Sequence, residues 1–252
     1  MSIPAYLPCF IAVGTFAVLI TIVYGLNRAL ADARWSAADR TRTLRVSAVI
    51  LLGWLAAAIA LSAMGIYHVT SGDRPTIQYG ILLPILIGAL MIWRWEAAKR
   101  VLHAVPQQWL VGVQLFRALG AIFLILSATE ALPRLFALPA GLGDTVVGLS
   151  APVVGLAYAR APHKAAGLVA AWNVLGLLDL TDALGLGFLT APSRYALEVQ
   201  PTSDLMTVLP LVLIPVYLVP LFFVLNLASL AKLRRETGAS QSRGGVADVR
   251  HP

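Results

Sequence analysis

MTVLPLVLIPVYLVPLFFVLNLASLAKLRR, residues 206–235, runs without a charge from Met206 to Leu230 and then places Lys232, Arg234 and Arg235 together. A helix rises 1.5 Å per residue, so about 20 apolar residues cross the ~30 Å of a bilayer's hydrocarbon. The stretch is long enough to span, and the cations after it mark the side on which it ends. Pro210, Pro215 and Pro220 each remove an intrahelical hydrogen bond, and their five-residue spacing predicts an irregular helix.

Working back toward the start, six more stretches have the same character. The spans are predicted at 5–26, 45–67, 77–95, 108–128, 139–159, 164–188 and 206–230. Lipid forces every backbone polar group to be satisfied within the segment or by a closed barrel. Segments this long and evenly apolar are helices, so the fold class is all-α, a polytopic bundle of seven transmembrane helices. Composition agrees: 59% of the 252 residues are hydrophobic and 12% charged, with a mean hydropathy of +0.81. Soluble domains carry about 25% charged residues. The expected domains are one transmembrane unit, 1–231, and a disordered basic tail, 232–252.

Orientation is read from Lys and Arg. One set of loops and the tail hold Arg28, Arg34, Arg40, Arg42, Arg45, Arg94, Lys99, Arg100, Arg160, Lys164, Lys232, Arg234, Arg235, Arg243 and Arg250. The alternate loops hold Arg74, Arg134 and Arg194, and Arg117 lies within a span. The richer side is predicted cytoplasmic, with the N-terminus outside. The formal charge of +7 follows this loop pattern and gathers in no single domain, so nucleic acid is not a predicted partner; the lipid bilayer is.

Cys9 is the one cysteine, and His68, His103, His163 and His251 have no metal-ligand spacing, so no metal site is expected. No P-loop, dinucleotide fingerprint, HExxH or serine elbow is present, and no cofactor is predicted.

Ionisable residues inside spans are costly and usually face the bundle interior, paired. Here they are Arg117 in the fourth span, Asp144 in the fifth, and Asp179 and Asp182 in the sixth; Gln114 and Asn173 add neutral polarity. Gln114 and Arg117 share a face by their three-residue spacing, as do Asp179 and Asp182. Trp172 lies two turns from Asp179 on that face. Asp144 is placed about 7 Å below the outer end of its span, level with Asp182. If these helices are neighbours, the groups form one cluster in the outer half of the bundle. Three carboxylates against one guanidinium exceed what a structural pair needs, and buried carboxylates serve as proton relays. A small solute or a proton is the expected ligand.

Gly141-Leu142-Gly143-Asp144 resembles the GxGD motif of intramembrane aspartyl proteases. The resemblance implies a catalytic role for Asp144, with Asp179 or Asp182 as the second carboxylate. In that family the partner precedes GxGD in a Tyr-Asp pair, and a Pro-Ala-Leu motif follows; neither is found here. RALGAIFLILSATEALPRLFALPAGLGDTVVGLSAP, WNVLGLLDL and LPLVLIPVYLVPLFFVLNLASL, between Arg117 and Arg235, resemble a group of uncharacterised bacterial seven-span membrane proteins. That resemblance implies the architecture and brings no known activity; the expected location is a bacterial inner (cytoplasmic) membrane.

Three readings follow. The first is proton-coupled or small-solute transport or binding at the polar cluster. The second is an accessory subunit that binds another membrane protein through small residues such as Gly155 and Gly167. The third is an intramembrane hydrolase.

Overall fold

The computed structural model describes residues 5–70 and 74–247, with side chains described through Thr237. Asp73, Arg243 and Arg250 therefore lie outside the described residues or side chains. Among the described residues the chain is helical and has no strand. Seven helices are long and apolar enough to cross a membrane. These are α1 (Leu7–Asp32), α2 (Ala37–Ala63), α3 (Ile77–Arg94), α5 (Gln107–Ala128), α6 (Arg134–Arg160), α7 (Pro162–Thr190) and α8, whose spanning part is Ile214–Thr237. A short helix, α4 (Glu96–Ala104), joins α3 to α5. It buries Leu102 and exposes its charged face, where Lys99 donates to Glu96 and holds that carboxyl below the usual range.

Local chemistry sets the boundaries. Ser36 caps α2 by accepting from the Asp39 N–H at 3.1 Å, and Asp39 adds an acidic first turn. Pro162 opens α7, where its missing N–H costs nothing. Three helices end in a left-handed residue that lets the next N–H reach back: Arg34 after α1, Gly65 after α2 and Glu130 after α5. The closing bonds are Trp35 N–H to Leu30 O, Ile66 N–H to Leu61 O and Ala131 N–H to Leu126 O.

Several helix ends depart from the sequence reading, α1 running to Asp32 and α2 beginning at Ala37 among them, and two of the departures have clear reasons. The sixth element begins at Arg134 rather than 139, because extended Pro133 stops the preceding turn and Arg134-Leu-Phe continue the helix. The last span begins at Ile214 rather than 206. Pro210 stays in the connecting segment, and the first turn of α8, Ile214–Leu218, is π-helical: the Val219 N–H reaches back to Ile214 O. Pro215 and Pro220 deny the ordinary ladder their N–H groups, a recognised cause of such a turn. At the other end, the α-helix runs past Lys232 to Ala247.

Seven crossings alternate direction, so the basic segments 28–45, 94–100, 160–164 and 232–235 gather at one end, called here the basic end. The opposite end carries the start of α1. α6 packs closely along α5 through glycines seven apart. A β-carbon at Gly141 would stand 2.7 Å from Leu124, at Gly148 2.3 Å from the Ala118 nitrogen, and at Gly155 3.0 Å from Gln108 O. Small residues let helix backbones approach where lipid gives no hydrophobic drive. Gly155 is thus used inside the chain, while Gly167 meets nothing within 4 Å.

Candidate functional site

The centre of α5 is a 3-10 helix from Val113 to Ala121. Three residues per turn align positions i and i+3, so Gln114, Arg117 and Gly120 form one row along the helix. A stretch of nine residues is long for this geometry, and such segments inside helices often mark hinges or strain. The row faces α6, α7 and α8.

Arg117 is 2% exposed and spends its fork on three partners. Nε donates to Asp144 Oδ1 at 2.8 Å, Nη1 donates to Gly176 O at 3.1 Å, and Nη2 donates to Asp179 Oδ2. Glycines make the room. A β-carbon at Gly120 would press on Asp144, one at Gly143 on Asp179, and one at Gly176 would stand 2.9 Å from Arg117 Nη1. Depth matches as well. Asp144 is ten residues into α6, and Asp179 is eleven from the end of α7, about 15 and 16 Å. Asp144 is deeper than the sequence suggested, because α6 starts earlier. It is level with Asp179 instead of Asp182. Asp182, the third carboxylate of the expected cluster, is exposed one turn away and makes no bond to Arg117.

Gln114 and Asn173 belong to a polar seam that continues from Arg117 toward the basic end. Asn226 Nδ2 donates to Phe222 O and, at 3.4 Å, to Gln114 Oε1. Ser229 Oγ accepts from Gln107 Nε2 at 2.6 Å and from Asn173 Nδ2 at 2.9 Å. Further along, Lys232 Nζ donates to His103 O and pairs with Glu236 at 3.0 Å, and the Tyr158 hydroxyl donates to Glu236 at 2.6 Å. Four buried amide atoms on this seam have no partner: Gln107 Oε1, Gln114 Nε2, Asn173 Oδ1 and Asn226 Oδ1. Trp172 stands apart, donating from Nε1 to Ser150 Oγ at 2.9 Å.

The sequence reading missed Gln107, Asn226, Ser229 and Lys232. A signal existed: Asn226, Ser229, Lys232 and Glu236 recur every three or four residues and so share one face of α8.

Two cavities meet Asp144. One of about 40 Å³ lies toward α1 and also touches Arg117. One of about 170 Å³ lies toward the end carrying the start of α1. Phe123, Ile214 and Val219 border both, so the π-turn sits at their junction. Chemically, the centre holds one guanidinium against two carboxylates beside space for a guest. In an aspartyl dyad the carboxyls share one proton directly; here both are engaged by the guanidinium. Among the described residues no His, Cys, Asp and Glu cluster suits a metal ion.

Fold and centre together define a polytopic helical protein with seven membrane-length helices and a charged core. Residues 74–234 match the family described as Domain of unknown function (DUF8737), and the chain belongs to that family. The matched region contains the centre and the seam. No curated protein and no solved structure matches.

Proposed function

We propose that the chain is a proton-coupled binding or transport protein for a small solute in a cytoplasmic membrane, working at Arg117, Asp144 and Asp179. The observation that carries the reading is the imbalance: one buried guanidinium engages two carboxylates. A proton or a further cation offsets the remaining charge, and intramembrane carboxylates in such settings relay protons. Asp182, exposed and one turn from Asp179, is the group through which that proton exchanges with the surroundings. The Lys and Arg bias supports an orientation with the basic end in the cytoplasm and the 170 Å³ cavity toward the outside.

Infrared difference spectra of purified protein, taken between acid and alkaline pH, test the reading through the carbonyl stretch of a protonated carboxyl. A titrating band is expected in the wild type and in Asp182→Asn, and its loss is expected in Asp179→Asn. Exposed carboxyls such as Asp182 also titrate, so the band of the centre is the difference between wild type and variant; wild-type spectra that match those of both Asp179→Asn and Asp144→Asn leave a fixed ion pair and overturn the proposal.

A further inference from the structure

α2 packs into the bundle at one end only. Its buried residues are Leu55, Ala58 and Ser62, all in the half away from the basic end. The other half, residues 37–54, has no fully buried residue, and a groove of about 440 Å³ runs between it and α1. Phe16, Ile20, Tyr24 and Asn27 line the groove from α1, and Ala48 and Leu52 line it from α2. Phe16 and Asn27 are eleven residues apart, about 16 Å along the helix, which is about half of a bilayer's ~30 Å of hydrocarbon. The groove therefore spans the leaflet at the basic end. Lipid tails fill any such groove, and the polar groups at its basic end select the lipid. Asn27 is partly exposed on the lining, and among the described residues its amide has no hydrogen-bond partner. Arg28 lies one helical turn past Tyr24, and Arg45 shares a face of α2 with Ala48 and Leu52, so each wall ends in a cation. Both arginines are exposed, and among the described residues neither side chain forms an ion pair or a hydrogen bond. Asp39, on the first turn of α2, accepts instead from the Ser36 hydroxyl at 2.7 Å. Exposed Asp32, one turn past Arg28, pairs with neither arginine.

From the groove's length, its free amide and its two unpaired guanidinium groups, we infer that an anionic phospholipid binds between α1 and α2. One acyl chain lies along Phe16, Ile20 and Leu52, the Asn27 amide donates to an ester carbonyl, and the phosphate is held by Arg28 and Arg45. Cations just beyond the hydrocarbon attract anionic headgroups. A zwitterionic lipid brings the same tails, but its ammonium meets like charge there. A second copy of the chain docked here by two-fold symmetry would set the same arginines against one another. The inference goes beyond the proton reading and stands without it, since Arg117, Asp144 and Asp179 do not line this groove.

Native mass spectrometry of the full chain in detergent tests it, with phosphatidylglycerol and phosphatidylcholine of identical oleoyl chains as probes. The wild type should hold its first phosphatidylglycerol about tenfold more tightly than phosphatidylcholine, the scale of two cations beside a headgroup. Arg28→Gln together with Arg45→Gln should abolish that preference. Arg160→Gln together with Lys164→Gln removes the same charge from exposed positions at the same end, on α6 and α7, and should leave the preference intact. Ala48→Trp, which fills the groove and keeps the arginines, should lower phosphatidylglycerol to the level of phosphatidylcholine. Equal affinity of the wild type for the two lipids overturns the inference. So does equal loss in the two charge-neutralised pairs, which would reduce the effect to the general charge of the basic end. A dimer that Ala48→Trp dissolves and phosphatidylglycerol does not would overturn it as well, by giving the groove to a second copy. The two charge pairs decide the matter if Ala48→Trp does not fold.

Discussion

A β-carbon at Gly143 would stand 1.6 Å from Oδ1 of Asp179. The glycine that precedes Asp144 therefore exists to seat the other carboxylate of the centre, and the GLGD stretch is explained by packing: Gly141 admits Leu124, Gly143 admits Asp179, and Asp144 reaches Arg117. Gly143→Ala should push Asp179 away from Arg117 and destabilise the fold by about 2 kcal/mol. Gly167→Ala is the control. Nothing lies within 4 Å of its β-carbon, so the better helix former should be neutral or stabilising by about 0.5 kcal/mol. Unfolding of both variants in detergent checks the contrast; equal effects would show that Gly143 is replaceable.

Arg117, Asp144 and Asp179 should behave as a unit. Arg117→Met strands two carboxylates and should cost about 3–5 kcal/mol, as when one partner of a buried pair is removed. Adding Asp144→Asn and Asp179→Asn to Arg117→Met should recover much of that loss, because replacing all the charged members of a buried network is often near neutral. A triple variant no more stable than Arg117→Met in the same unfolding assay would show that the three residues contribute independently.

Much of this was legible in the chain, and what was not has physical causes. Seven apolar lengths and the Lys and Arg rhythm gave the bundle, since lipid leaves the backbone few alternatives. Arg117, Asp144 and Asp179 announced themselves by cost, because an ion inside a span needs a partner. Asp182 carried the same signal without meeting Arg117: one residue type at one spacing cannot say which side of a helix faces a neighbour. Gln107, Asn226 and Ser229 were passed over for the opposite reason. Gln107 precedes the predicted fourth span, Asn226 and Ser229 lie in a span with no ionised residue to draw notice to them, and their partners lie on other helices. The 3-10 stretch of α5 has no sequence flag at all. It contains no proline, and no local feature accounts for it.

The seam makes a paired prediction about hydroxyls. Ser229→Ala removes the oxygen that accepts from both Gln107 and Asn173 and should cost about 2 kcal/mol. Thr15 is equally buried, but its hydroxyl has no partner. Thr15→Val keeps the shape and deletes an unsatisfied group, so it should stabilise by about 1 kcal/mol. The two variants, compared by thermal unfolding in one detergent, should move in opposite directions. A shift of the same sign in both would mean that the Ser229 bonds contribute nothing net.

The proposed orientation can be read with the protein's own thiol. Cys9 is exposed in the first turns of α1, at the end opposite the basic segments, and it is the one cysteine in the chain. Ala38 is exposed near the start of α2, among the arginines of the basic end. In intact cells a membrane-impermeant maleimide should label wild-type Cys9. A Cys9→Ser, Ala38→Cys variant should be labelled only after the membrane is opened. The opposite pattern would turn the protein over and place the 170 Å³ cavity on the cytoplasmic side. It would also require the positive charges to face outward, against the electrostatic preference that sets most membrane topologies.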